Sequence, residues 1–164
     1  MQVRLSNYLQ SMLEEASADP SEYGLETAHL GDQEFFLPGI FSERFLQWKH
    51  SGTEDYYFGK DAPYDRPRGD ARQYILHHVH LAPLTSPEEL GKWDKSWGRA
   101  SGRRTSDTAL MYVDGGRYGY LLLTILWDPE AHDVVRMKTA RDIKFMSEMA
   151  IHAKKFMETG LCDF

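Results

Sequence analysis

An uninterrupted apolar run from Tyr120 to Trp127 constrains the fold of this chain more than any other segment. A short run without polar alternation is typical of a central strand that is covered on both faces. Asp114-Gly115-Gly116 before it has the composition of a tight turn, and Ala109 to Val113 before that turn has the composition of a second strand. The sequence therefore predicts a strand pair at the centre of a sheet.

Helical spacing of apolar residues and turn-forming residues define the other elements. A first helix is predicted up to Asp19-Pro20, a second over about 39–50, a third from Ser86-Pro87, and a last one over about 130–158. Tyr74 to Ala82 is predicted as a strand, residues 56–65 as an aromatic loop, and residues 98–108 as a polar loop, with a short strand near 27–30. The buried stripe predicted for the first helix consists of Leu5, Leu9, Met12, Leu13 and Ala16.

This order of elements predicts an α+β fold, in which a small antiparallel sheet carries N-terminal helices and a C-terminal helix. We expect the helices on one side of the sheet, so that its other face is open to solvent or to a ligand. A length of 164 residues is enough to bury one substantial core.

Cysteine use and hydropathy bound the environment of the chain. The single cysteine, Cys162, cannot form an internal disulfide, which is typical of a reducing compartment. Residues 1–10 contain no hydrophobic signal core, and the apolar run 120–127 is too short to span a bilayer as a helix. We therefore expect a cytoplasmic protein without a membrane partner.

The net charge of −6 argues against a general nucleic-acid binder, but the charge is unevenly distributed. Residues 1–65 carry four Lys/Arg and twelve Asp/Glu, whereas residues 66–164 carry fifteen and thirteen. Basic residues cluster in this second part, where they are either solvated surface or contacts for RNA phosphates. The predicted RNA-binding residues are Arg99, Arg103, Lys138, Arg141 and Lys144.

Three of the seven histidines lie in the predicted strand that ends at Ala82. Side chains alternate along a strand, so His78 and His80 share one face and His77 points to the other. Imidazoles titrate near neutral pH and serve in proton transfer or in metal binding. For His77 we prefer the interpretation of a packed side chain.

Two further segments carry groups that suit the same chemistry. Arg104 precedes one strand of the predicted pair, and His132 and Arg136 follow the other strand with a spacing that places them on one helix face. Histidines and arginines at one phosphodiester can cleave RNA without metal: one imidazole takes the 2′-OH proton, arginine stabilises the phosphorane oxygens, and a second group protonates the leaving 5′-oxygen.

Simpler interpretations exist for the same residues. Arg104 and Arg136 are also candidates for surface ion pairs with Asp107 and Asp133. The His-x-His pair with His132 is also a candidate metal site, which would indicate a metallohydrolase. Because no cysteine and no carboxylate motif accompanies these histidines, we predict neither a metal nor another cofactor.

Several segments in a fixed order resemble a known family. They are Phe58-Gly-Lys-Asp-Ala-Pro-Tyr-Asp65, His78-Val-His-Leu-Ala82, Arg104-Thr-Ser-Asp107 followed by Ala109-Leu-Met-Tyr112, Leu121 to Leu126, and Pro129-Glu-Ala-His-Asp-Val-Val-Arg136. Together they resemble the YafO family of toxins from bacterial type II toxin–antitoxin systems, over about residues 26 to 157.

The resemblance implies a RelE/ParE-like fold and an mRNA endoribonuclease that acts with the translating ribosome and is held inactive by a cognate antitoxin. It divides the chain into an N-terminal helical extension, 1–25, and a toxin domain, 26–164, and it leaves a homo-oligomer open. A non-catalytic toxin that inhibits DNA gyrase, as the ParE branch does, is the alternative. The catalytic positions that it implies are His78, His80, Arg104, Asp107, His132 and Arg136.

The acidic N-terminal part suggests one more hypothesis. Residues 1–25 combine negative charge with an apolar helical stripe. We expect them to dock on a neighbouring molecule or to shield the basic face until a partner binds.

Overall fold

The computed structural model describes residues 1–25, 33–96 and 103–164. The short strand predicted near 27–30 and residue Arg99 lie outside these ranges. The strands of the described chain are β1 (Val3–Leu5), β2 (Phe58–Pro63), β3 (His77–Leu81), β4 (Ala109–Asp114) and β5 (Tyr120–Leu126). The α-helices are α1 (Asn7–Ala18), α2 (Pro38–Ser51), α3 (Pro87–Ser96), α4 (Glu130–Arg136) and α5 (Ala140–Thr159). Single 3₁₀ turns occur at Pro20–Tyr23, Gln33–Phe36, Asp70–Arg72 and Gly116–Tyr118.

The five described strands form one sheet in the order β1-β5-β4-β3-β2. The β2–β3, β3–β4 and β4–β5 pairs are antiparallel, whereas β1 pairs with β5 in parallel. The α+β prediction is confirmed, and so is the pair formed by β4 and β5. The sheet is mixed rather than purely antiparallel because of β1.

Strand β1 replaces the predicted start of the first helix. Leu5, which the helical spacing assigned to α1, pairs with Leu122 of β5 instead. Ser6 separates the two elements: its hydroxyl accepts a hydrogen bond from the Leu9 amide at 3.0 Å and donates one to the Leu123 carbonyl at 2.6 Å. A serine cap therefore starts α1 after the strand.

Strand β2 lies within the segment that was predicted to be an aromatic loop. Asp61 pairs with Val79 and Ala62 with His78, and an irregularity separates Phe58 from Asp61. Glycine, aspartate and proline are poor strand formers, so local propensity favoured a loop, and pairing with β3 outweighs it.

Helices cover both faces of the sheet, which corrects the prediction of a one-sided arrangement. Along β4, Leu110 and Tyr112 pack into a core with α1, α2 and α3, and Met111 and Val113 pack into a second core with α4 and α5. The alternation of a strand accounts for this division, because successive side chains point to opposite faces.

The last predicted helix is two helices. Met137 adopts the left-handed conformation (φ 50°) and ends α4. Thr139 then caps α5, with a reciprocal capping box in which its side chain accepts from the Asp142 amide and the Asp142 carboxylate accepts from the Thr139 amide. The break allows α4 to lie at the end of β5 while α5 packs along the sheet.

None of the helices among the described residues combines the length and the apolar composition needed to cross a membrane.

Candidate functional site

Strand register brings the histidines of β3 to the end of β5. His80 pairs with Ala109, and Ala109 pairs with Leu126, the last residue of β5. Helix α4 begins four residues later, at Glu130. Side chains of β3 on the α4 face therefore lie beside the first turns of α4.

The cleft between β3 and α4 has a volume of about 420 Å³. Four of the six predicted catalytic residues line it, and they come from two distant segments of the chain. Its wall is completed by the segment that follows β2. The cleft is lined by Pro63, Tyr64, Asp65, Arg66, His78, His80, Ser106, Ala109, Ala131, His132, Val135 and Arg136.

His80 is held in one orientation by the segment before β4. Its Nδ1 lies 2.7 Å from the Ser106 carbonyl oxygen and 3.2 Å from the Ser106 amide nitrogen. The Ser106 N–H donates to an unprotonated Nδ1, whereas the contact with the carbonyl requires a protonated Nδ1. The contact with the carbonyl is the shorter one and favours the tautomer in which Nδ1 donates and Nε2 carries the lone pair. Burial lowers the pKa of His80, the bond to Ser106 opposes this shift, and the charge of His132 lowers the pKa further. The imidazole is therefore neutral at pH 7.

His78 packs between two rings in the cleft wall. It stacks on Tyr64, with ring centroids 4.4 Å apart, and meets His80 edge to face at 5.2 Å. Its Nδ1 is buried without a hydrogen-bond partner among the described residues. Burial and the neighbouring charge of His80 lower the pKa of His78 to about 4, so this imidazole is also neutral at pH 7.

The depressed pKa of His78 predicts that acid destabilises the fold. The unfolded chain binds a proton at His78 below the ordinary pKa of 6.5, whereas the folded chain does so only near pH 4. We expect the free energy of unfolding to fall as pH drops from 6.5 toward 4, by about 2 kcal/mol after allowance for the open side of the cleft. Urea unfolding at several pH values measures this loss. His78→Phe keeps the stack on Tyr64 and should reduce this loss of stability at acid pH. An unchanged pH dependence of stability in that variant would contradict the attribution of the loss to His78.

His132 and Arg136 form the α4 side of the cleft. His132 Nε2 contacts the carboxylate of Asp107, a contact that is an ion pair when the imidazole is protonated. The Arg136 guanidinium lies 3.7 Å from Asp133 one turn earlier, and its side chain is 58% exposed. Exposed at this position, it can bind a ligand that enters the cleft. Of the two alternative ion pairs, Arg136 does lie beside Asp133, whereas Asp107 contacts His132 and not Arg104.

Arg104 does not reach the cleft. It is 4% exposed, and its guanidinium donates hydrogen bonds to the carbonyls of Asp55, Tyr56 and Phe58 at 2.9, 3.2 and 3.0 Å. The same group lies 4.8 Å from the ring centre of Trp93. The geometry therefore favours a role in which Arg104 anchors the segment that carries Ser106 and Asp107.

The predicted RNA-binding residues that the structure describes are placed outside the cleft lining. Arg103 is exposed next to Arg104. Lys138 and Arg141 line a separate groove of about 800 Å³ between α1 and the start of α5. Lys144 lies 3.9 Å from Glu148 on the surface of α5. None of these four side chains lines the cleft with the histidines.

Among the described residues, no group of three or more His, Cys, Asp or Glu side chains is arranged to hold a metal ion. His78 and His80 face each other at 5.2 Å, and His132 is engaged by Asp107. The geometry thus gives no support to the candidate metal site formed by the His-x-His pair and His132.

Sequence reasoning missed three residues of the cleft. Tyr64 supports His78, Ser106 orients His80, and Arg66 adds a second guanidinium. Tyr64 and Ser106 both lie in segments that resemble the family, but nothing in the local sequence indicated a role for either residue. Nothing in the local sequence of Arg66 marked it.

No curated protein and no solved structure matches this chain. Residues 46–158 match the family described as Toxin YafO, type II toxin-antitoxin system. This span is well over half of the chain and contains β2 to β5, α3, α4 and every residue that lines the cleft. The chain therefore belongs to the YafO family of type II toxin–antitoxin toxins.

Proposed function

We propose that the protein is a ribosome-dependent mRNA endoribonuclease that inhibits translation. The observation that carries this proposal is the cleft in which His80, oriented by Ser106, lies with His132 and Arg136. Membership of the YafO family implies that a cognate antitoxin is the partner that controls the protein.

In this mechanism His80 is the general base. Its imidazole is neutral at pH 7 because burial lowers its pKa, and its Nε2 lone pair is available because Nδ1 donates to Ser106. Nε2 takes the proton of the ribose 2′-OH, and the 2′-oxygen attacks the adjacent phosphorus. The nucleophile is supplied by the RNA, so the protein needs none.

His132 and Arg136 complete the reaction. The Arg136 guanidinium donates to the phosphorane oxygens as negative charge develops on them. Protonated His132, held by Asp107, gives its proton to the leaving 5′-oxygen as the bond from phosphorus to that oxygen breaks. The products are a 2′,3′-cyclic phosphate and a 5′-OH end, and hydrolysis of the cyclic ester gives a 3′-phosphate.

His78 and Arg104 act through other residues in this proposal. His78 fills the space between Tyr64 and His80 and so restricts the His80 ring. Arg104 anchors the backbone two residues before Ser106 and three before Asp107, which contact the base and the acid. Both are positioning residues.

Replacement of Arg104 tests its role as an anchor. Arg104→Ala removes the guanidinium that donates to three backbone carbonyls, although the Trp93 indole still donates to Tyr56 and the Phe58 amide to Asp55. We therefore expect the free energy of unfolding to fall by about 1–3 kcal/mol. Arg104→Lys keeps the positive charge but not the planar set of guanidinium donors. The variant should fold and cleave more slowly. The pH profile of cleavage should also change, because Ser106, which orients His80, is less firmly held. Urea unfolding and pH–rate profiles measure both effects. Arg103→Ala is the matched control for the unfolding measurement, because Arg103 is exposed, and a similar loss of stability there would contradict the anchor role.

A reconstituted translation reaction tests the proposed function. Purified protein, ribosomes and a defined message should yield fragments with 5′-OH ends, and the cognate antitoxin should suppress them. Intact message together with impaired DNA supercoiling would instead support a ParE-like gyrase inhibitor. Cleavage that a chelator abolishes, and that added divalent metal restores, would support a metallohydrolase.

A further inference from the structure

A second guanidinium enters the cleft from the segment between β2 and β3, residues 64–76. Arg66 lines the cleft together with Tyr64 and Asp65, and it is exposed. Arg136 comes from α4, so the two guanidinium groups lie on different elements of the same cleft. A chain of RNA carries a phosphate at every nucleotide, and a single guanidinium at the scissile group leaves its neighbours uncontacted.

Next to Arg66 lies an ordered stack of a guanidinium on a phenol ring. The Arg68 guanidinium is 3.7 Å from the ring centre of Tyr74. Its Nε donates to the Asp65 carbonyl at 2.8 Å, and its Nη1 donates to the Arg72 carbonyl at 3.1 Å. Because Asp65 lines the cleft, the stack is tied directly to the cleft wall.

Backbone strain accompanies this arrangement. Ala71 and Arg72 both adopt left-handed conformations, with φ of 51° and 62°. Residues other than glycine adopt this conformation at a cost, and it persists where surrounding contacts hold it. Here the Arg72 carbonyl is held by Arg68, so the strained turn presents a fixed platform. Tyr74 is 42% exposed on that platform, which leaves ring surface for another planar group.

We propose that residues 64–74 form a subsite for single-stranded RNA beside the catalytic cleft. Arg66 binds a phosphate that flanks the scissile one, and the Arg68–Tyr74 stack accepts a nucleobase of the same strand. Aromatic rings and guanidinium planes stack on every base, so the subsite strengthens binding with little sequence preference. The inference rests on the proposed function, because it takes the strand to run through the same cleft.

Binding and cleavage are measured separately to test the subsite. The binding probe is a fluorescent RNA oligonucleotide with a 2′-deoxy residue at the scissile position, which cannot be cut. Arg66→Ala should weaken binding and lower the slope of log K against log salt by about 0.7, the value for one lost phosphate contact on a single strand. Tyr74→Ala should weaken binding by about 5- to 100-fold, and Tyr74→Phe should bind like the wild type.

Lys95→Ala is the matched control, because Lys95 is an exposed cation on α3, and α3 packs on the other face of the sheet from α4 and the cleft. Thermal melts establish that each variant is folded. The subsite is overturned if the wild type does not bind the oligonucleotide, if Arg66→Ala and Tyr74→Ala bind like the wild type, or if Lys95→Ala loses as much affinity. Loss of binding in Arg66→Ala and Tyr74→Ala, combined with a wild type that cuts no message on ribosomes, would support the subsite and overturn the proposed nuclease.

Discussion

Replacement of His80 by alanine is expected to lower the rate of message cleavage by about 10²–10⁴-fold, the usual contribution of a general base. The loss should appear in kcat, because His80 acts on the proton that moves in the transition state. His80 is only partly buried, and both of its hydrogen-bond contacts in the described structure are with the Ser106 backbone. The variant should therefore remain folded. A single-turnover cleavage assay on ribosomes measures the rate.

His77→Ala is the matched control for this experiment. His77 lies three residues before His80 on the same strand, is also partly buried, and stacks on Tyr112 on the other face of the sheet. Its loss should leave the cleavage rate within a few-fold of the wild type. Equal rates for His80→Ala and the wild type would remove the base from the proposed mechanism, and equal losses in the two histidine variants would indicate a structural effect.

Deletion of residues 1–18 is expected to abolish the native fold. Strand β1 pairs with β5, and α1 places Leu9, Met12, Leu13 and Ala16 in the core with α2 and α3. Loss of one large buried aliphatic side chain typically costs about 2–5 kcal/mol, and the total stability of a domain is about 5–15 kcal/mol. The deletion also turns β5 into an exposed apolar edge, which favours aggregation. Soluble yield and near-UV circular dichroism measure the outcome.

Tyr8→Ala is the control for the deletion. Tyr8 lies on α1 but is 59% exposed, so its replacement should change the free energy of unfolding by less than about 0.5 kcal/mol. A truncated chain that unfolds cooperatively at the wild-type denaturant midpoint would show that residues 1–18 are a separate appendage. That result would support the hypothesis that residues 1–25 dock on a neighbouring molecule.

Local pattern was sufficient for much of the fold. Alternation along one strand placed His78 and His80 on one face and His77 on the other, and the structure has them so. The turn formers between Val113 and Tyr120 identified the β4–β5 pair, and Ser86-Pro87 identified the start of α3. Such features depend on residues that lie within a few positions of each other, so they can be predicted from the local sequence.

Features that depend on distant partners were missed. Strand β1 has three residues and gains its hydrogen bonds from β5, more than a hundred positions later. Strand β2 contains glycine, aspartate and proline, and it forms only because β3 pairs with it. Helices on both faces of the sheet, rather than on one, likewise follow from how α4 and α5 pack after the break at Met137.

The sequence by itself determined which residue types stand where: histidines on one strand face, and His132 with Arg136 after the central strand. Only the tertiary structure decided which groups share a cleft. It brought Arg66 into the cleft that His80 lines, placed Ser106 against His80, and directed Arg104 to carbonyls almost fifty positions earlier in the chain. The physical reason is that side-chain alternation is set by the local backbone, whereas burial and hydrogen-bond partners are set by whichever segments the whole fold brings within reach.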